Sequence, residues 1–388
     1  MNVAFNFLLG GSLVFWLLRV LPIEIIIRSF HPLYRSLVVL IISVLSIQTF
    51  FQLLNNSDLG VGIHLATLLS TILLILGFGI LIPLLLPLDE FIDRIAVLCW
   101  ILILVSLALY FMGSPTVFKG NRFIGIFKHI PYMVTCASIG FLFNLNRWRE
   151  VSSPFRYAFL LIQQFSFLYA LYLTGTRSAL SAIIVGTSLQ FFLYSSKSQI
   201  FRMSRVLLVW ITVIGMALFG GEILQFGKDV FTGERAIGQR EAQDGVSDRL
   251  DEIYRGLDLL EKSPNIGLGL LSKFGSAEGE DVVESYNSFQ DPHNLFISSA
   301  VIAGWPFALV VIFGFACLIL RTGYAVLREH SPWLTLGVYV LSHLPILFIY
   351  HMHLSLGGLA DRMYWICFGY LGLHFLQRSN EKNIITEP

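Results

Sequence analysis

The chain has 388 residues, 55% of them hydrophobic and only 13% charged, with a net charge of +1 and a mean hydropathy of +0.73. Soluble domains carry about a quarter charged residues, so lipid is the solvent this composition fits. The near-neutral balance, with no stripe of Lys or Arg, excludes a surface that tracks phosphates, and no nucleic-acid partner is expected.

A spanning helix needs about 20 mostly apolar residues. On that criterion the sequence predicts an all-α, polytopic transmembrane bundle with spans near 3–27, 37–54, 64–87, 94–112, 124–145, 156–174, 178–195, 205–224, 294–320, 333–350 and 356–376. The first stretch carries Arg19, Pro22 and Glu24 and can be read as one tilted helix or two shorter passes, giving eleven or twelve spans. It lacks a basic leader and a small-residue cleavage site, so it reads as a span and not as a removable signal. The four cysteines (Cys99, Cys136, Cys317, Cys367) lie inside apolar stretches without CxxC spacing and read as packing residues.

Orientation follows from the short loops. Alternate connections hold thirteen basic residues, among them Arg28, Arg35, Arg94, Arg147, Arg149, Lys197, Arg202 and Arg321, and those connections should be cytoplasmic, with the C-terminus inside. The one long hydrophilic stretch, 225–293, then falls on the outer, periplasmic side. No Pro- or Ser-rich linker divides the chain, which reads as a single membrane domain, 1–388. Within the long loop, Leu250, Ile253, Tyr254, Leu257 and Leu260 recur at helical spacing, predicting an amphipathic helix over about 248–263 that Pro264 ends.

Three residues with useful chemistry fall on that outer side. Arg177 sits in a tight, small-residue turn between two spans, against the inside bias of basic residues; a snorkelling anchor and a functional guanidinium both fit the position. Arg249 falls in the first turn of the loop helix, beside backbone N–H groups that favour an anion, while Arg255 with its acidic neighbours also fits a solvated face. His293 follows Asp291 and Pro292, a good N-cap and a good first helical residue, so it should occupy the second position of the next span. The positive helix end disfavours imidazolium there, and a neutral imidazole can act as a general base or simply bond the loop. His351 and His353 raise the question of a metal, but no Cys or acidic cluster completes a site. Two guanidiniums suit a diphosphate and a neutral His suits a hydroxyl.

The order of these elements resembles the O-antigen ligase/polymerase superfamily of membrane glycosyltransferases over about 125–315. Leu173-Thr174-Gly175-Thr176-Arg177-Ser178-Ala179-Leu180 is similar to its Thr/Ser-x-Thr/Ser-Arg turn. Asp248-Arg249-Leu250 with Ser263-Pro264-Asn265-Ile266-Gly267-Leu268-Gly269 resembles its Arg-led loop helix and the turn that follows. Pro292-His293-Asn294-Leu295 with Ala303-Gly304-Trp305 resembles its His-Asn element and downstream glycine, and Asn121-Arg122-Phe123-Ile124-Gly125-Ile126-Phe127 resembles an Arg-x-x-Gly-x-Phe element. The resemblance implies an undecaprenyl-diphosphate-linked glycan donor and metal-independent, cofactor-free inverting transfer at the periplasmic face of a bacterial inner membrane. Arg177 and Arg249 would hold the diphosphate, His293 would activate the acceptor hydroxyl, and Arg122 would be a secondary contact. The acceptor would be lipid A core for a ligase or another lipid-linked repeat for a polymerase. A transporter of lipid-linked sugars is the rival class; it should show paired halves with helices broken at the midplane.

Overall fold

The computed structural model describes residues 30, 32–55, 61–119, 122–127, 130–148, 153–193, 253–254, 256–258, 260–261, 263–267, 294–328, 333–347 and 362–373. Its helices include α1 (Pro32–Asn55), α2 (Val61–Leu76), α3 (Leu88–Phe111), α4 (Ile130–Arg147), α5 (Pro154–Thr174), α6 (Arg177–Leu193), α7 (Leu295–Arg328) and α8 (Trp333–Leu347), and residues 362–373 are helical as well. Between α3 and α4 lies the one strand pair among the described residues, β1 (Phe118–Lys119) antiparallel to β2 (Arg122–Phe123). Among the described residues, five stretches are long and apolar enough to cross a membrane: Pro32–Leu54, Leu68–Leu85, Leu88–Phe111, Pro154–Thr174 and Leu295–Gly314. The fold is therefore that of an all-α, multi-pass membrane protein.

Expected boundaries shift by a few residues, most plainly before α4. The span expected from 124 begins at Ile130, because 122–127 form the second strand and a turn. The spans expected at 3–27 and 205–224, and most of the loop 225–293, lie outside the described residues.

By their internal contacts the residues form two compact units. The first comprises Met1–Pro87, Leu250–Arg321 and Leu347–Pro388. Here α2 passes through a π-helical segment, Gly77–Leu81, into a last α turn at Ile82–Leu85. Pro83 has no N–H to offer the Gly79 carbonyl four residues back, and the buried Tyr34 hydroxyl donates to that oxygen at 2.7 Å instead. At the end of the same turn, Tyr370 Oη donates to Leu86 O at 2.7 Å. Backbone groups freed at membrane depth must be satisfied internally, and these two tyrosines do so.

The second unit comprises Leu88–Arg249 and Thr322–Ile346. Asp89 and Glu90 begin α3, where carboxylates suit the positive helix end, and Glu90 pairs with Arg94 one turn on. Arg147 at the last turn of α4 pairs with Asp93 at 3.4 Å, so these charges share one end of the α3/α4 pair. Deeper in, Phe91 and Tyr339 both meet the ring of Phe143 edge-on. A Cβ on Gly140 would come within 2.3 Å of the Phe167 ring; the glycine is what lets α4 and α5 approach so closely.

Candidate functional site

Within the second unit the site is built outward from the end of α3. Gly113 (φ 71°) closes that helix by donating to Tyr110 O at 2.9 Å, and the chain enters the β1–β2 hairpin with Lys119 opposite Arg122. The hairpin is fastened to α3 through Tyr110 and Ser106. Phe123 is fully buried and packs edge-on against Tyr110. Gly125 (φ 61°) lies so close to Ser106 that a Cβ would fall 2.4 Å from its hydroxyl oxygen, and the next amide, Ile126 N, donates to that oxygen at 3.1 Å.

Successive strand residues point to opposite faces, so anchoring Phe123 directs Arg122 the other way. Arg122 Nε donates to Thr174 O at 3.2 Å and Nη2 donates to Thr176 Oγ1 at 3.1 Å. Both acceptors belong to the turn between α5 and α6. Gly175 takes the left-handed conformation (φ 63°, ψ 23°) and donates to Tyr172 O at 3.0 Å. Thr174 Oγ1 donates to Leu171 O at 2.7 Å and accepts from Thr176 N at 3.3 Å. Thr174 and Thr176 are buried, and Thr176 O accepts the first bond of α6 from Leu180 N at 3.3 Å. Arg177 is the first residue of that helix. A guanidinium thus caps the carbonyl end of α5, where a cation is favoured, and fixes the residue immediately before Arg177. The turn opens onto a helix N-terminus, whose amides and dipole favour an anion.

In the first unit, α7 is broken. Ala303 (φ −134°, ψ 16°) and Gly304 (φ 80°, ψ 172°) leave the helix, and Pro306 follows. The break receives the turn 263–267. Trp305 N donates to Pro264 O at 2.9 Å, and Gly267 (φ 74°) and Gly304 cross with no room for side chains: a Cβ on either would lie 2.5 Å or less from the other segment's backbone. From α1, Gln48 Nε2 donates to Asn265 O at 2.8 Å, while Gln52 Nε2 donates to Ile266 O and to Ile302 O, each at 2.9 Å. Both glutamines are buried. The loop helix is helical at its described positions in 253–261, and Leu260 packs on Ala300, Val301 and Ala308 of α7. Tyr254, from the same apolar stripe, is 61% exposed.

Of the residues expected from sequence, Arg122 is seen bonded to the turn that leads into Arg177. Arg249, Arg255, His293, His351 and His353 lie outside the described residues. One expectation about His293 changes. Asn294, not Asp291, caps α7: its Oδ1 accepts from Phe296 N at 3.0 Å and Ile297 N at 3.2 Å, and its carbonyl accepts from Ser298 N at 2.8 Å. His293 therefore precedes the cap instead of occupying the second helical position. Asn wins because its side chain reaches two of the orphan amides of the first turn. Sequence reasoning passed over Gln48 and Gln52; two carboxamides four apart inside an apolar run are costly in lipid, and that cost is the signal.

Residues 164–313 match the model of a family described as O-antigen ligase. The matched stretch takes in most of α5, the Thr174–Thr176 turn, α6, the loop helix and the break in α7. No curated protein matches the chain.

Proposed function

We propose, taking residues 164–313 as a member of the O-antigen ligase/polymerase superfamily, that this chain is a membrane glycosyltransferase acting on lipid-linked glycans at the periplasmic face of a bacterial inner membrane. The donor is a glycan on undecaprenyl diphosphate. The acceptor hydroxyl oxygen, on a lipid A core, attacks the anomeric carbon as the bond from that carbon to the diphosphate oxygen breaks. The configuration inverts, the hydroxyl proton passes to the His293 imidazole, and undecaprenyl diphosphate leaves with its charge held by Arg177 and Arg249. Arg122 is the secondary contact. The chemistry asks for no metal ion.

The observation that carries this reading is the turn at 174–176, inside the matched stretch. A guanidinium with two hydrogen bonds to the turn fixes the residue before an arginine at a helix N-terminus, which is what binding a diphosphate needs. Gene deletion followed by gel analysis of the lipopolysaccharide tests it. A ligase deletion leaves core without O antigen while polymerised chains accumulate on the carrier. Core capped with a single repeat gives the polymerase reaction instead, with the same three residues acting on a lipid-linked repeat as acceptor. Core without O antigen together with loss of lipid-linked glycan at the outer face points to the transporter.

A further inference from the structure

We propose that Gln52, assisted by Gln48, is a positioning residue that sets the Arg249-led loop helix against the His293-led helix α7. The reasoning starts from Pro306. A proline has no N–H, so the carbonyl four residues earlier, Ile302 O, loses its helical donor in a stretch apolar enough to span a membrane. Such an orphan must find another partner inside the protein. Gln52 supplies it, and Gln52 does more than a repair requires.

A carboxamide nitrogen carries two hydrogens. One meets Ile302 O on α7, and the other meets Ile266 O on the turn that ends the loop helix, both at 2.9 Å. Each hydrogen thus holds a different segment, 36 residues apart in sequence. One turn earlier on α1, Gln48 holds the neighbouring Asn265 O. The Pro264–Trp305 bond and the crossing of Gly267 with Gly304 close the same junction from its other sides. A single bond to Ile302 O would satisfy the carbonyl that Pro306 orphans. The second bond, and the second glutamine, hold the loop turn against the broken helix.

The role rests on the reading of Arg249 and His293 as donor ligand and base. His293 lies nine residues before Ile302, with helix described over 295–301, and Arg249 lies 17 residues before Ile266, with helix described at 253–254, 256–258 and 260–261. A shift at the junction is carried to both, and a misplacement of about 1 Å costs transfer roughly a hundredfold.

The test uses the full chain with its four cysteines replaced and spin labels at Glu261 and Leu309, two exposed positions flanking the junction. The parent should give one narrow distance distribution. In Gln52→Leu it should broaden, and transfer in isolated membranes, measured against added lipid-linked donor extracted from the same cells, should lose about tenfold or more in maximal rate with donor half-saturation little changed. Gln48→Leu, which frees only Asn265 O, should do the same to a smaller degree and carries the test if Gln52→Leu fails to accumulate. An unchanged distribution overturns the clamp. A broadened distribution with an unchanged maximal rate overturns its positioning role. Full transfer by His293→Ala in the same assay overturns the reading of the reaction and the positioning role with it, a result separate from the spin-label distances.

Discussion

Arg122 and Thr176 are joined across 54 positions of sequence by a bond of 3.1 Å from Nη2 to Oγ1. With the second bond from Nε to Thr174 O, the fork of the guanidinium spans the turn from one helix end to the next. An ammonium on a flexible stem cannot make both contacts in one geometry. Arg122→Lys should therefore accumulate in the membrane at parental level but lose about tenfold in transfer, in line with the roughly 1.5 to 3 kcal/mol carried by charge-assisted hydrogen bonds. Parental transfer by Arg122→Lys would show that charge alone suffices.

The proposed contacts to donor and acceptor make a sharper prediction. Arg177→Ala, Arg249→Ala and His293→Ala should each abolish glycan transfer in a complementation assay while the protein remains in the membrane. Arg177→Lys should also be poor, for the same two-pronged reason. Transfer should persist in chelator. Loss in chelator with recovery on adding a divalent ion would move the chemistry to His351 and His353.

The glycine crossing predicts a stability effect independent of chemistry. Gly304→Ala places a methyl 2.3 Å from Asn265 O at φ 80°, and Gly267→Ala places one 2.5 Å from the α7 backbone at φ 74°. Strained backbone of this kind costs about 1 to 3 kcal/mol for the dihedral alone. Thermal unfolding in detergent should drop clearly in each variant, whereas Gly77→Ala, where a Cβ meets nothing within 4 Å, should unfold close to the parent.

Tyr34→Phe isolates the satisfaction of one freed carbonyl. The ring stays, the bond to Gly79 O is lost, and an unsatisfied buried acceptor costs about 1 to 3 kcal/mol. A melting temperature equal to the parent's would mean that Gly79 O finds another donor.

Orientation is tested at described positions of the second unit. Thr116, exposed in the loop before the hairpin, and Asp93, exposed beside Arg94 and Arg147, lie near opposite ends of α3. A cysteine at 116 should react with an impermeant reagent on intact cells, and one at 93 only after permeabilisation. The reverse pattern would put Arg122 and Arg177 on the cytoplasmic side and remove the proposed reaction.

Much was legible in the sequence because lipid imposes simple rules. Runs of apolar residues about 20 long announced α1, α3, α5 and α7, the small-residue turn before Arg177 announced a tight reversal, and Pro264 announced the end of the loop helix. Those features depend on residues near one another in the chain. Local preference misjudged the start of α7: it pointed to Asp291 as the cap, and the hydrogen bonds give that role to Asn294. What tertiary structure alone decided were the partners of distant groups: that Arg122 braces the turn 52 to 54 residues on, and that Gln52 serves carbonyls 214 and 250 residues away. The sequence shows that Pro306 must orphan a carbonyl and that Gln52 is costly in lipid. Only the packing of α1 on the broken α7 shows that each is the other's answer, because a hydrogen bond depends on separation in space and no local pattern encodes that separation.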